Sequence, residues 1–487
     1  MPTLRIPVLE SGNAVWDKAF ELACGDFSGN VIPYCAGLLK EKVPVICAGD
    51  TYRTPWTRDA AFNTWYAGSI LAPETAKNTL LSVLTEQNHK MMIDEDSGQY
   101  WDMIIWAWGA WNYFLATLDR DFLQIALPAI ENTLENCIQN ELDPADGLFR
   151  GGACFQDGIS GYPDQFVSDK NESGILFCLN DSPRHDWLVK QGHGLPCKAL
   201  SSNCLHLLAG QCSAEMRRIL NLPENRKLTL FMEKLSCSIR KCFWNEEKGR
   251  FRYLIDAFDP KDRQEGLGIA FAVLAGVADR KMLQRQMSNL FLTPHGLPCV
   301  WPEYERYSDM RKALVRGESF NHYARHSGSV WPQVNAAFVS ALSDSGYRKE
   351  ALREMDLLAN KAFRDGMFFE LYHPETGLPD GGLQEWGTEG IIHWKSCKRQ
   401  TWAATGYIHM ALKALFGMKL TPDGITVQPL LPDGCNFMRI SDLHLHGLDF
   451  EITVRRAKDN EKSSELPFRL KSGRNDVVIR EPPSIPF

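Results

Sequence analysis

The sequence has no apolar run approaching the roughly 18 residues a helix needs to cross a bilayer, so no helical membrane span is expected. It also has no block of about five or more like charges. Its 60 acidic and 53 basic residues leave a net charge of −7, which argues against a nucleic-acid or anionic-membrane partner. The 14 cysteines include no C-x-x-C pair and so offer no structural zinc site. Cysteines such as Cys204, Cys212, Cys237 and Cys242 lie in apolar, helix-patterned stretches and read as buried free thiols. Residues 1–9 lack the charged start and continuous apolar core of a secretory signal, and a cytoplasmic protein is expected. Glycine-rich nucleotide loops, H-E-x-x-H and G-x-S-x-G are missing from any supporting context, so no cofactor and no metal are expected in the chemistry.

What remains is a 487-residue chain, 44% hydrophobic and 23% charged, able to bury a large core. Helical periodicity runs from about residue 13 to about residue 417. Cys204, Leu208, Cys212, Met216 and Leu220 recur at every fourth position, as do Val330, Val334, Phe338 and Leu342, with Trp331 beside them. A third stripe passes through Trp402, Thr405, Ile408, Leu412 and Leu415 to Gly417, placed to end it as a left-handed cap. With further helices expected near 13–24, 57–70, 76–87, 103–118, 121–139, 224–243, 264–276, 279–291 and 347–363, the chain has about a dozen. Paired antiparallel helices in an inner and an outer ring fit that number. Two stretches, 143–198 and 368–398, are longer than connections usually are and are expected to carry function. After Gly417, short alternating segments at 425–429 and 443–454, set off by Pro-Asp-Gly turns, predict a small β-rich extension over 418–487.

Candidate chemistry sits in the connections. The 14 tryptophans concentrate at presumed loops and helix ends, where their rings either pack the core or stack on sugar faces. Arg58 and Asp59 follow Trp56 at a helix start; a guanidinium fork beside a carboxylate grips neighbouring hydroxyls, or else forms a terminal salt bridge. Asp157, between Phe155 and Tyr162 in a glycine-rich stretch, is either a desolvated general acid or part of an Asp-Gly turn. Asp143, Asp146 and Asp164 are weaker candidates. In the second long stretch Glu370 and Glu385 could each activate water, whereas Glu375 reads as a turn residue.

These residues resemble known families. Arg325-His-Ser-Gly-Ser-Val-Trp-Pro332, with Asn335 following, resembles the R-G-x-x-W-P-x-x-N helix start of glycoside hydrolase family 63, which includes mannosylglycerate hydrolases and processing α-glucosidases. Phe369-Glu370-Leu-Tyr-His-Pro-Glu-Thr-Gly377 is similar to that family's F-W-E-x-Y-D-P-x-T-G segment, which carries the base. Phe155-Gln-Asp157-Gly-Ile-Ser160 resembles its G-M-D-N-S-P segment, which carries the acid. Trp56-Thr-Arg-Asp-Ala60 is similar to the W-T-R-D-[AS] of family 15 glucoamylases, whose Arg-Asp pair grips the terminal glucose. In that second comparison the base is Glu385, sixteen residues before Thr401-Trp402, so the two resemblances nominate different bases.

The resemblances imply an all-α fold, an (α/α)6 barrel over 1–417 with the small β extension behind it. They imply inverting hydrolysis of an α-linked glycosidic bond in a small saccharide or glycoside, with Asp157 as acid and Glu370 or Glu385 as base. Trp56, Arg58, Asp59, Trp101, Arg325 and Trp331 would bind the sugar. A glycoside phosphorylase, or an epimerase working through His322, His326 or His393, is the alternative on the same barrel. The sequence gives no indication of oligomeric state.

Overall fold

The computed structural model describes residues 6–480 except 96–97, 181–187, 259–260, 315–320 and 460. Six of its helices form a closed ring: α1 (Thr57–Asn63), α2 (Trp106–Thr117), α3 (Leu200–Ile219), α4 (Gly266–Leu274), α5 (Pro332–Asp344) and α6 (Thr401–Ala414). Each packs on the next, and α6 closes back on α1. A second set lies outside: Pro73–Leu81 against α1 and α2, Arg120–Asn140 and Arg226–Phe243 against α3, and both Arg348–Asp365 and Ala14–Gly29 against α6.

Composition explains which helices go inside. Every residue of α1 is buried, and α4 and α6 are rich in Ala and Gly and buried on nearly all sides, as close packing from two directions requires. The outer Arg226–Phe243 helix instead buries one stripe, Met232, Leu235, Ile239 and Phe243. That stripe also corrects the cysteine reading. Cys204 and Cys212 are buried on α3, but Cys237 falls on the far side of its helix and is exposed, and Cys242 is half-buried. All 14 cysteines are free thiols.

Helical periodicity extends too far at one place and misses helices at two. Residues expected to continue a helix to 87 form a hairpin, Leu84–Gln87 with Lys90–Ile93, turned by Asn88 and His89 at φ 51° and 61°. Helices Ile175–Asn180 and Glu305–Leu314 lie in stretches that show no clear stripe. At the end of α6, Gly417 stands at φ 56° with its N–H on the Lys413 carbonyl, a left-handed cap. Beyond it, Phe437–Leu445 and Leu448–Arg456 pair antiparallel, Gly473–Ile479 adds in parallel, and the N-terminal strand Val8–Glu10 completes this four-stranded sheet. Among the described residues no helix is long and apolar enough to cross a membrane.

One buried acid between α3 and α4 has a measurable consequence. The Glu265 carboxyl, at the start of α4, accepts the Ser201 N–H at 3.1 Å and is fully buried, and burial raises it to about 8. In the unfolded chain it returns to the ordinary Glu range, so this group costs the fold nothing below pH about 4.5 and an increasing amount as the pH rises to about 8. Glu265→Gln is therefore expected to match the parent near pH 4.5 and to exceed it by about 2–4 kcal/mol at pH 8. Urea midpoints at the two pH values measure this, and an unchanged difference between them would show that the carboxyl is ionised in the fold.

Candidate active site

The N-terminal ends of α1, α5 and α6 converge on one cavity of about 350 Å³. From α1 come Arg58 and Asp59, with Trp56 just before them; Trp331 precedes α5, and Gln400 and Trp402 open α6. The long connections close the remaining sides and bring in Asp157, Arg325 and Glu370.

Arg58 is the hub on one side. Its guanidinium lies 3.3 Å from Asp102 Oδ2 and 3.4 Å from Asp157 Oδ1, and it is buried. Burial alone would weaken its charge, but Asp157, Asp102 and Asp59 outweigh that and raise it further. Asp102 also accepts the Phe155 N–H at 2.9 Å, which holds Phe155 at the unusual φ of 59° two residues before Asp157. Gln99 donates to the other Asp157 oxygen at 3.3 Å. The Asp157 side chain remains 39% exposed, facing the cavity it lines. Gly158 has an ordinary φ of −77°, so it is not there to make a turn. It is there because a Cβ would stand 2.3 Å from Gln384 Oε1 and 2.4 Å from His326.

Glu370 is fixed differently. Arg325 donates to its Oε1 at 2.8 Å and the Cys397 N–H to its Oε2 at 3.3 Å, and the carboxylate is nearly buried. Arg325 in turn donates to the Gly381 carbonyl at 3.0 Å and lies over the Trp331 and Trp394 rings at 5.1 and 5.5 Å. The Glu370 charge, followed by burial, raises the neighbouring Tyr52 hydroxyl, which stays protonated. His326 is stacked 5.1 Å from Trp331, and burial and the Arg325 charge push it down to about 3, so it is a neutral imidazole. Two carboxylates, each anchored by its own arginine, thus share a cavity walled by Trp56, Trp331, Trp394 and Trp402. Such aromatic faces suit the apolar faces of sugar rings, and the carboxylates and amides suit their hydroxyls.

A family model for the mannosylglycerate hydrolase MGH1-like glycoside hydrolase domain matches residues 52–390, and every residue that lines the cavity apart from Trp394, Gln400 and Trp402 falls inside that span. The chain belongs to the MGH1-like glycoside hydrolase family. It is accordingly a glycosidase. Among solved structures, a GH63 mannosylglycerate hydrolase from Thermus thermophilus in complex with Tris is similar at TM-score 0.53 and 15% identity, covering 80% of this chain and 98% of that one. A chain described as a sialidase matches at TM-score 0.65 and 13% identity over 91% of this chain. A GH78 family rhamnosidase of Bacillus sp. GL1 matches at 0.55 and 11% over 99%. This glycoside hydrolase spans only 38% of the sialidase chain and 44% of the rhamnosidase chain. At such identities the likeness is one of fold, that of the six-hairpin glycosidases. No curated protein matches the sequence.

Of the residues nominated from sequence, the glycoside hydrolase brings Trp56, Arg58, Asp59, Asp157, Arg325, Trp331 and Glu370 to one cavity, and it leaves Trp101 and Glu385 outside the lining. Trp101 packs with Ile159, Tyr162 and Phe166 beneath Gly151 and Gly152, where it supports the Asp157 stretch from below. Glu385 is buried and held by Arg306 at 2.9 Å and by the Tyr307 hydroxyl. Arg306 also takes the carbonyls of Ile159 and Tyr162 and the Asp164 carboxylate, so this group clamps the Asp157 stretch to the 383–393 hairpin. Asp143 and Asp146 are both engaged by Lys198. Glu375 is exposed and accepts from Tyr323, as a turn residue can. His322 and His393 lie off the cavity. Sequence reading passes over Tyr52, Gln99, Asp102, Phe177, Trp394 and Gln400. The last could have been flagged by its place directly before Thr401-Trp402, and Asp102 by its adjacency to Trp101.

Proposed function

We propose that the ring is an (α/α)6 barrel and that the cavity hydrolyses an α-linked glycosidic bond of a small saccharide or glycoside with inversion. Asp157 serves as the acid and Glu370 as the base. The observation that carries this reading is the placing of Asp157 and Glu370 in one cavity with a separate arginine on each. Arg325 and the Cys397 N–H both donate to Glu370, an arrangement that suits a carboxylate taking a proton from water. Asp157 has one side open to the cavity, where the departing glycosidic oxygen of a bound sugar can reach it. Arg58, Asp59 and Arg325 would hold hydroxyls of the innermost sugar, and Trp56 and Trp331 its faces. Inversion requires the two carboxyls to stand about 6.5–9.5 Å apart with water between Glu370 and the anomeric carbon. The T. thermophilus relative is a mannosylglycerate hydrolase, which supports a small glycoside as substrate.

The alternatives lose their footing at particular residues. A phosphorylase needs a cation facing the anomeric carbon, but Arg58 and Arg325 are each engaged to carboxylates. An epimerase needs a histidine free to reach the sugar, but His322 and His393 lie off the cavity, and His326 is stacked on Trp331 with its Nδ1 on the Ser160 hydroxyl at 3.1 Å.

Proton NMR of the sugar released in the first turnovers, before mutarotation, tests the reading. The newly formed hemiacetal should have the anomeric configuration opposite to that of the substrate, and the rate should not depend on phosphate. Release of the retained anomer, or a requirement for phosphate, would overturn it.

A further inference from the structure

Outside the sugar cavity, three side chains from separate segments converge on a point the hydrolytic reading does not use. His322 Nδ1 lies 2.5 Å from Asp380 Oδ2, and His393 Nε2 lies 3.0 Å from Asp380 Oδ1. The two imidazoles are stacked with centroids 3.6 Å apart and planes 17° apart, so their nitrogens face the same carboxylate side by side. All three donor atoms fall within 4.8 Å of one another. Tetrahedral zinc with Zn–N and Zn–O bonds of about 2.0–2.2 Å needs donors about 3.3–3.5 Å apart, so the two His–Asp contacts would lengthen by about 0.3–1 Å on binding.

We propose that His322, Asp380 and His393 form a binding site for a divalent transition metal of the zinc class, with solvent as the fourth donor. The donor set of two imidazoles and one carboxylate is the kind that holds such ions and not magnesium or calcium, which prefer oxygen alone. Asp380 is buried and accepts the Gly382 N–H at 2.7 Å on one oxygen, a second contact that fixes the carboxylate's orientation. His322 and His393 are 26% and 38% exposed, which gives the ion a route in from solvent.

The position suggests what the ion does. Asp380 and His393 stand at the two feet of the 383–393 hairpin, and His322 leads into the segment that carries Arg325. The next residue after Asp380 offers the carbonyl that holds the Arg325 guanidinium, and the residue after His393 is Trp394 of the cavity wall. A bound ion would therefore tie together the hairpin, the Arg325 segment and, through Arg325, the Glu370 carboxylate, acting as a positioning element and taking no part in bond cleavage. The site stands whichever sugar is cut and whether or not Glu370 is the base.

The test is zinc binding to the metal-stripped, full-length protein, followed by calorimetry and by elemental analysis after gel filtration. His393→Ala and His322→Ala, both at partly exposed side chains, serve as the comparison, with His393→Gln as a second variant should either fail to fold. The parent is expected to retain roughly one equivalent of zinc more than either variant, and zinc is expected to raise the melting temperature of the parent alone by a few degrees. Cobalt substitution should give visible absorption in the parent that both variants lack. Equal zinc uptake by the parent and both variants, or loss of uptake in only one of them, would overturn the site.

Discussion

Glu370→Gln is expected to lower kcat by about 10²- to 10⁴-fold on every substrate, activated or not, with little change in KM. Water must be deprotonated whatever group leaves, and an amide cannot take the proton. Gln fills the same volume, and its carbonyl oxygen can still accept from Arg325, which now donates to Glu370 at 2.8 Å. Folding should hold, since Arg325 keeps the Gly381 carbonyl and its place over Trp331 and Trp394. The measurement is steady-state turnover on an alkyl and an aryl glycoside of the same sugar. A loss on only one of them would show that Glu370 does not activate the water.

Asp157→Asn should divide those two substrates. An alkoxide leaving group needs a proton as it departs, so the alkyl glycoside is expected to lose about 10²- to 10⁴-fold in kcat/KM, whereas a nitrophenyl glycoside, whose leaving group is stable as an anion, loses far less. Arg58 remains paired with Asp102 at 3.3 Å, so the substitution leaves no buried arginine without a carboxylate. Equal losses on both substrates would mean that Asp157 binds sugar and does not protonate the leaving oxygen.

The ring of helices is readable because periodicity and small-residue content report burial directly: α6 is both the clearest stripe in the sequence and among the most buried helices. The place of Arg58 and Asp59 in the cavity lining is readable because the two adjoin at a helix start, where local sequence fixes their direction. Glu385 and Trp101 are misplaced by the sequence for a common reason. Each lies in or next to irregular chain, where no periodicity states which way a side chain points. The partners that turn them inward are distant in sequence: Arg306 on a helix that shows no stripe, and Gly151 and Gly152 on the far side of Trp101. Gln99 and Trp394 are invisible for the same reason, because each reaches the site through a loop whose course depends on the packing of the others. The His322–Asp380–His393 cluster shows the limit from another side. Its members are 58 and 13 residues apart and form no ligand spacing until the hairpin closes.

The placement of Glu370 inside the cavity and Glu385 outside it is the feature on which the catalytic assignment turns. Turnover of Glu370→Gln and Glu385→Gln on one glycoside, each normalised to the folded fraction, measures it most directly. Glu385→Gln should keep kcat within a few-fold while costing about 1–3 kcal/mol of stability, because Arg306 retains Asp164 and two carbonyls when one buried contact weakens. Glu370→Gln, which leaves the buried Arg325 with the Gly381 carbonyl and the amide oxygen in place of a carboxylate, should cost at least as much stability but still fold, with turnover of the folded fraction reduced by at least about 100-fold. Near-normal turnover in Glu370→Gln together with an inactive but folded Glu385→Gln would contradict the assignment and make Glu385 the base.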